Sequence, residues 1–147
     1  MEISGPGSRI LIMSKSMIYT VNSSAQNVAV NGTINPGTVI RRFGPNLGLS
    51  GNAIQIDGAG YYEIETSITA APTAAGNVTV TVYKDGIAIS GATASQATGT
   101  ANNPVNISIS SLVREYCPCG DGLSNLTFVL TGTASSVTNV AVVVKKL

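Results

Sequence analysis

Residues 77–89 read NVTVTVYKDGIAI, and this stretch decides the fold class of the chain. Its first half alternates valine with asparagine, threonine or tyrosine, which is the two-residue period of a strand that buries one face. Asp85 and Gly86 come next, and an Asp-Gly pair between two alternating runs predicts a tight hairpin turn. The stretch therefore predicts two antiparallel strands joined by that turn.

The same two-residue period recurs along most of the chain. Ten short strands, separated by glycine-containing turns and with no convincing helical stretch, predict an all-β protein, an antiparallel β-sandwich or barrel. The alanine-rich residues 92–101 favour a loop or an irregular strand, because their Thr, Ser and Gly residues disfavour a helix. The predicted strands lie near residues 17–21, 27–34, 37–43, 53–57, 60–70, 77–84, 87–94, 104–115, 124–131 and 136–145.

The composition excludes several classes of protein. Only 10% of the 147 residues are charged, against about 25% in a typical domain, and 44% are apolar, which excludes a disordered chain. Eight Lys and Arg against seven Asp and Glu provide no basic face for nucleic acid. No apolar run reaches the roughly 18 residues of a membrane helix, so we expect no membrane insertion. The absence of His removes the commonest general base and metal ligand.

The first residues, MEISGPGSRILIM, do not have the pattern of a secretory signal peptide. A signal peptide needs an apolar stretch of roughly 7 to 15 residues, and the Gly-Pro-Gly at residues 5–7 interrupts this one. We expect residues 1–16 to form a flexible arm, for which an upstream start codon is the alternative explanation, since Met13 offers another start. The folded domain is then predicted to span residues 17–147.

The last predicted strand differs from the others because it is apolar on both faces. Residues 140–144 read VAVVV, with no polar residue among them. A strand in an antiparallel sheet with one wet side should alternate, so this run predicts burial on both sides. One core covers only one face, and we expect the second face to contact another subunit; a central strand covered by a loop is the alternative.

Two motifs together resemble the core of the tumour-necrosis-factor/C1q-like jelly-roll superfamily. Residues 58–64, GAGYYEI, are similar to the Gly-x-Tyr motif that opens a long central strand there, and residues 78–89 are similar to the hairpin that follows. The resemblance covers residues 17–147 and implies a jelly roll of about ten strands that forms a homotrimer, with the last strand near the three-fold axis. The trimer-interface residues expected on this basis are Tyr62, Ile64, Val140, Val142 and Val144.

The overall composition is similar to that of small trimeric jelly rolls of bacteria and bacteriophages, with residues 39–44 and 138–144 resembling a group of gut-phage and Gram-positive proteins. This resemblance implies a structural or recognition protein, not an enzyme: a phage virion component, fibre head or capsid decoration, that acts in adhesion and assembles in the host cytoplasm. Its partners would be copies of itself, capsid or tail proteins, or a cell-surface glycan or protein. The alternatives are a secreted or surface C1q-like module of a bacterium and a jelly-roll enzyme, which the lack of His disfavours.

The sequence Cys117-Pro118-Cys119 is the most unusual local motif. Two cysteines one residue apart are poorly placed for a relaxed disulfide, and a closed zinc site needs four ligands where one chain offers two thiols and no His. Three chains meeting on an axis would bring six thiols together, so Cys117 and Cys119 are candidates for a shared metal or an inter-chain disulfide. The simpler expectation is a pair of free thiols, and we predict no metal and no cofactor.

Two arginines and two glutamates are candidates for a structural ion pair. Arg41 and Arg42 are adjacent, and Glu63 and Glu65 lie two residues apart, so the glutamates share one face of a predicted strand. We expect the arginines to pair with Glu63 or Glu65, across the sheet or on a neighbouring subunit. A glycosidase pair of carboxylates is disfavoured by the absence of Trp, and calcium binding with an aspartate is a further alternative.

Overall fold

The chain folds as an all-β protein. The structure is a computed structural model, and it describes residues 15–116 and 123–147. Within these ranges it contains twelve strands and no helix, which confirms the predicted fold class, and so no described segment is a helix that could cross a membrane. The strands are β1 (Met17–Asn22), β2 (Gln26–Val28), β3 (Gly32–Thr33), β4 (Thr38–Phe43), β5 (Leu47–Ser50), β6 (Ala53–Asp57), β7 (Gly60–Pro72), β8 (Gly76–Lys84), β9 (Ile87–Thr98), β10 (Val105–Glu115), β11 (Leu123–Gly132) and β12 (Ser135–Lys146).

The strands form two antiparallel sheets that pack as a sandwich. The front sheet has the strand order β10-β7-β12-β1-β4, with β2 paired to β12. The back sheet has the order β5-β6-β11-β8-β9, with β3 paired to β11. Many of the neighbouring strands are far apart in the sequence, as in a jelly roll, so long-range pairing holds each layer together.

The hairpin that decides the fold class lies in the back sheet. β8 and β9 pair as predicted, and Asp85 and Gly86 both have positive φ angles, 51° and 82°, as a type I′ turn requires. The valines of β8 are fully buried between the sheets, and its threonines are half-buried on the outer side. The core therefore lies between the two layers. Its largest fully buried side chains include Ile18, Ile54, Ile56, Ile107 and Phe128.

The observed strands differ from the sequence prediction at three places. The run predicted as one strand, residues 27–34, is divided into β2 and β3, which lie in different sheets, because Asn31 takes a left-handed backbone conformation (φ 67°) that turns the chain. β5 is absent from the prediction, since its four residues include a glycine, which has low strand propensity. β9 continues to Thr98 through the alanine-rich segment, where Thr93 and Ser95 share hydrogen bonds with threonines of β8.

The folded domain begins before the boundary expected from the sequence. Ser16, which the expected arm 1–16 includes, is buried. Its Oγ donates a hydrogen bond to Asn46 Oδ1 at 2.8 Å and accepts one from the backbone N–H of Asn46 at 3.1 Å. These bonds hold the residue before β1 against the residue before β5, so Ser16 belongs to the domain. Residues 1–14 lie outside the described ranges.

Candidate association face

The front sheet has an outer side that faces away from the core, and we call this surface the front face. Directly opposed residues of antiparallel neighbours lie on the same side of a sheet, so the pairing register gives its rows. Each row crosses the strands in the order β10, β7, β12, β1 and β4. The three rows are Leu112, Glu63, Lys145, Met17 and Phe43; Ser110, Glu65, Val143, Tyr19 and Arg41; and Ser108, Ser67, Ala141, Val21 and Thr38.

The two outer surfaces of the sandwich differ in chemistry. The front face carries large apolar side chains, and at its two edges Leu112 and Phe43 are 51% and 56% exposed. The outer side of the back sheet is dominated by hydroxyl groups, which bond to each other between β8 and β9. Its outward residues include Thr79, Thr81, Thr93, Ser95, Thr127 and Thr131. A solvent-facing apolar surface marks an interaction site more often than a hydroxyl-rich one, so the front face is the candidate association face.

The five residues expected at a trimer interface lie inside the core of a single chain instead. They are Tyr62, Ile64, Val140, Val142 and Val144, and each is at most 1% exposed. Successive residues of a strand point to opposite sides of the sheet, so the residue next to a core-facing residue faces outward. The residues that β7 and β12 present on the front face are therefore their neighbours in sequence, which corrects the expected set. These include Glu63, Glu65, Ala141 and Val143.

A shallow depression lies on the front face where β10, β7 and β12 run side by side. It has a volume of about 420 Å³. Small side chains line it, because serines and an alanine occupy the outward positions of these strands, and the carboxylate-bearing Glu65 lies among them. Its outward-pointing lining residues are Glu65, Ser67, Ser108, Ser110, Ala141 and Val143.

The ion pair expected between the arginines and the glutamates is not formed within one chain. Glu63 Oε1 instead lies 3.4 Å from Lys145 Nζ, its neighbour in the same row. Arg42 Nε donates a hydrogen bond to the backbone carbonyl of Leu47. Arg41 and Glu65 share a row but lie three strands apart, a separation of about 14 Å at the usual strand spacing. Within the described residues, neither Arg41 nor Glu65 has an ion-pair partner.

A buried ion pair connects the two sheets at the edge formed by β9 and β10. Lys84 Nζ of the back sheet lies 2.7 Å from Glu115 Oε1 of the front sheet. Ser124 Oγ, on β11, donates a 2.5 Å hydrogen bond to Glu115 Oε2, so both carboxylate oxygens have partners. The side chains of Lys84 and Glu115 are only 21% and 9% exposed, so the contact is a structural link between the layers.

Tyr62 lies near this link and is held neutral by its surroundings. Its hydroxyl donates a 2.8 Å hydrogen bond to the carbonyl oxygen of Gly58. Burial raises the pKa of Tyr62 from 10.0 to about 12, and the negative charges of Glu115 and Asp57 add to the effect. The phenol therefore stays protonated at physiological pH and acts as a buried hydrogen-bond donor.

A tyrosine–arginine cluster at the end of the front face is a feature that the sequence analysis missed. The guanidinium of Arg114 lies 5.6 Å from the ring centre of Tyr61 and 4.5 Å from that of Tyr116, distances typical of cation–π contacts. Arg114 and Tyr61 are opposed in the register of β10 and β7. The available signal was the change along β10 from outward serines to outward Leu112 and Arg114, followed by Tyr116 just after the strand.

The remaining predicted sites give no chemical centre among the described residues. Cys117 and Cys119 lie outside the described ranges. Within residues 15–116 and 123–147, no three His, Cys, Asp or Glu side chains are grouped so that they could hold a metal ion. Glu63 and Glu65 lie on the front face, and Glu63 is paired with Lys145.

Comparison with known proteins gives matches in three dimensions and none in sequence. No protein-family model and no curated protein match the chain. Eiger TNF from S. frugiperda matches with a TM-score of 0.68 at 11% identity, covering 90% of this chain and 91% of that one. PRD1 vertex protein P5 has a TM-score of 0.59 at 15% identity, covering 90% and 96%. The globular domain of zebrafish complement 1qA protein has a TM-score of 0.60 at 5% identity, covering 89% and 95%. The chain therefore has the TNF/C1q-like jelly-roll fold that its sequence motifs resemble.

Proposed function

We propose that this jelly roll is a non-enzymatic module that forms a homotrimer through its front face and serves as a virion component, a fibre head or capsid decoration that acts in adhesion. The observation that carries the proposal is the apolar front face on a fold shared with TNF and C1q domains. Association of three copies would cover apolar side chains that one chain leaves in water. The low charge of the chain, 10% of its residues, is consistent with a surface that is partly hidden.

The front face is better suited to association than the back one because apolar side chains lie at its centre and at its two edges. Val143 and Tyr19 occupy the middle of the central row and are half-buried already in the single chain. Burying such residues against a second copy removes more apolar area from water at little further cost in side-chain entropy. The back face would instead bury hydroxyl groups that already bond to each other or to solvent.

The mass in solution tests this proposal. Light scattering across micromolar concentrations should give about three times the chain mass of 14.9 kDa. Val143→Glu places a carboxylate in the centre of the front face, where association would bury it without a partner, so we expect a monomer that remains folded. Thr127→Glu makes the same charge change at a half-buried outward position of the back sheet and should leave the trimer intact. A wild-type protein that is monomeric throughout this range contradicts the proposal.

A virion role is supported by the likeness to a vertex protein. PRD1 vertex protein P5 covers 90% of the chain at 15% identity, a likeness of fold that leaves the role as a proposal. Three copies of one loop set would bind a repeated surface by avidity, without high affinity at each site. Mass spectrometry of purified virions tests this assignment. If the protein is absent from the particles, the virion role is contradicted.

The alternative is a secreted or surface-bound C1q-like module, which the likeness to the complement 1qA globular domain supports at the level of fold. The two roles differ in what the trimer binds. A glycan array separates them when it is combined with a pull-down against purified capsid and tail proteins. A virion component predicts binding to the purified capsid or tail proteins, with or without a glycan, and a C1q-like module predicts binding to a glycan or cell-surface protein alone.

A further inference from the structure

Two opposite charges on the front face are unpaired within the described part of the chain and lie towards opposite sides of the sheet. Glu65 is on β7 and Arg41 is on β4, the strand at the far edge. Both side chains are exposed, and both belong to the central row of the face. The strands β12 and β1 separate them by about 14 Å, which is too far for contact in one chain. A contact between these two charges therefore requires a second copy.

The two charges have different surroundings. Glu65 lies in the depression of about 420 Å³, where small serine and alanine side chains leave room. Arg41 lies on an edge strand whose six residues are all exposed, with the apolar Ile40 and Phe43 near it. An exposed edge strand and a recessed surface on the same chain are two different patches of the kind that a head-to-tail ring needs, because each copy then uses its edge on one neighbour and its recess on the other.

We infer that Arg41 of one copy enters this depression on the next copy and pairs with Glu65. This pair fixes how neighbouring copies are positioned against each other in the ring. The inference rests on the proposed association through the front face. A guanidinium has five N–H donors and binds a carboxylate through two parallel hydrogen bonds. The hydroxyl groups of Ser67, Ser108 and Ser110 line the same depression and supply further acceptors for the remaining donors. Such a pair favours the correct alignment of two copies, because an arrangement that brought like charges together would be strongly unfavourable.

Charge reversal tests the contact. Arg41→Glu and Glu65→Arg each put like charges together, and each should raise the concentration at which the trimer dissociates by at least about tenfold. The double variant R41E/E65R restores opposite charges and should bring the dissociation concentration back towards that of the wild type. Both substituted positions are exposed, so circular dichroism of all three variants should show an unaltered fold.

Arg42→Glu is the matched control. Arg42 is the neighbour of Arg41, but it is opposed to the buried Ile18 in the register and so lies on the other side of β4. Its substitution removes a hydrogen bond to Leu47 and lowers the unfolding temperature somewhat, while the assembly state should not change.

A mixing experiment gives a second readout. When the R41E and E65R proteins are combined, contacts between unlike variants carry opposite charges and contacts between like variants repel. A ring of three cannot alternate two kinds of subunit, so every mixed trimer keeps one repelling contact, and recovery should be partial. Complete recovery by mixing would indicate a ring with an even number of copies and would contradict a trimer.

The outcomes separate the inference from the proposal on which it rests. A wild-type protein that is monomeric would contradict the proposed association itself. A wild-type trimer that tolerates both single reversals overturns only the Arg41–Glu65 contact. Single reversals that weaken the trimer without recovery in the double variant also overturn it, because the two residues would then lie in the interface without facing each other.

Discussion

The buried link between Lys84 and Glu115 gives the sharpest prediction for stability. Substituting Lys84 by Met keeps most of the side-chain volume and removes the cation 2.7 Å from Glu115 Oε1. The carboxylate is then left buried with Ser124 as its remaining partner. Breaking a buried ion pair by removing one partner costs about 3–5 kcal/mol, and because Lys84 is partly exposed we expect a loss of about 3 kcal/mol. For a domain of this length the loss lowers the unfolding temperature by about 10 °C.

Urea unfolding followed by far-ultraviolet circular dichroism measures this loss. All variants are compared at a protein concentration where light scattering shows each to be monomeric, because Lys145 lies on the front face and association adds to apparent stability. Lys145→Met is the control, because it removes the cation from the exposed pair with Glu63, whose side chains are 48% and 34% exposed. An exposed pair is worth about 1 kcal/mol at most. Equal losses for Lys84→Met and Lys145→Met would refute the reasoning that burial makes the first pair costly to break.

The triple variant K84M/E115L/S124A extends the same reasoning. It replaces the three polar partners with apolar side chains, so no buried group is left without a hydrogen bond. We expect it to recover most of the stability lost in K84M, since a buried ion pair is often no better than apolar packing of similar volume. A triple variant less stable than K84M would show that the link contributes more than the avoidance of an unpaired carboxylate.

Two further predictions concern buried hydroxyl groups. Thr20 Oγ1 is buried without a hydrogen-bond partner among residues 15–116 and 123–147. Thr20→Val should therefore raise the free energy of unfolding by about 1 kcal/mol in urea titrations, and a loss of stability would mean that the hydroxyl has a partner. The folded-state pKa of Tyr62, about 12, lies above its value of 10.0 in the unfolded chain, so the corresponding stability is present below pH 10 and is lost as the pH rises towards 12. This loss amounts to about 3 kcal/mol. Tyr62→Phe should remove that part of the alkaline decline. If the free energy of unfolding of the variant falls between about pH 9 and about pH 12 by as much as that of the wild type, the assignment is contradicted.

The fold class was predictable because the signals that determine it are local. The alternation of residues 77–83 and the Asp85-Gly86 pair act within one hairpin, and the structure confirms both the strands and the turn. The same holds for the long central strand β7, which the sequence placed at residues 60–70 and which ends at Pro72. Strand propensity and turn chemistry depend on near neighbours in the chain, so a sequence displays them directly.

The association face was only partly predictable because it depends on pairing between distant strands. The run VAVVV showed that both sides of β12 are apolar, but only the packing of the sheets places Val142 in the core and Val143 outside. The four charged residues were identified from the sequence, yet the order β7-β12-β1-β4 decides that Arg41 lies too far from Glu65 to pair with it. The amino-acid sequence by itself determined the period of each strand, the turns and the all-β class. Only the tertiary structure decided which side of each strand faces the core and which strands lie next to it, because both are set by contacts between segments far apart in the chain.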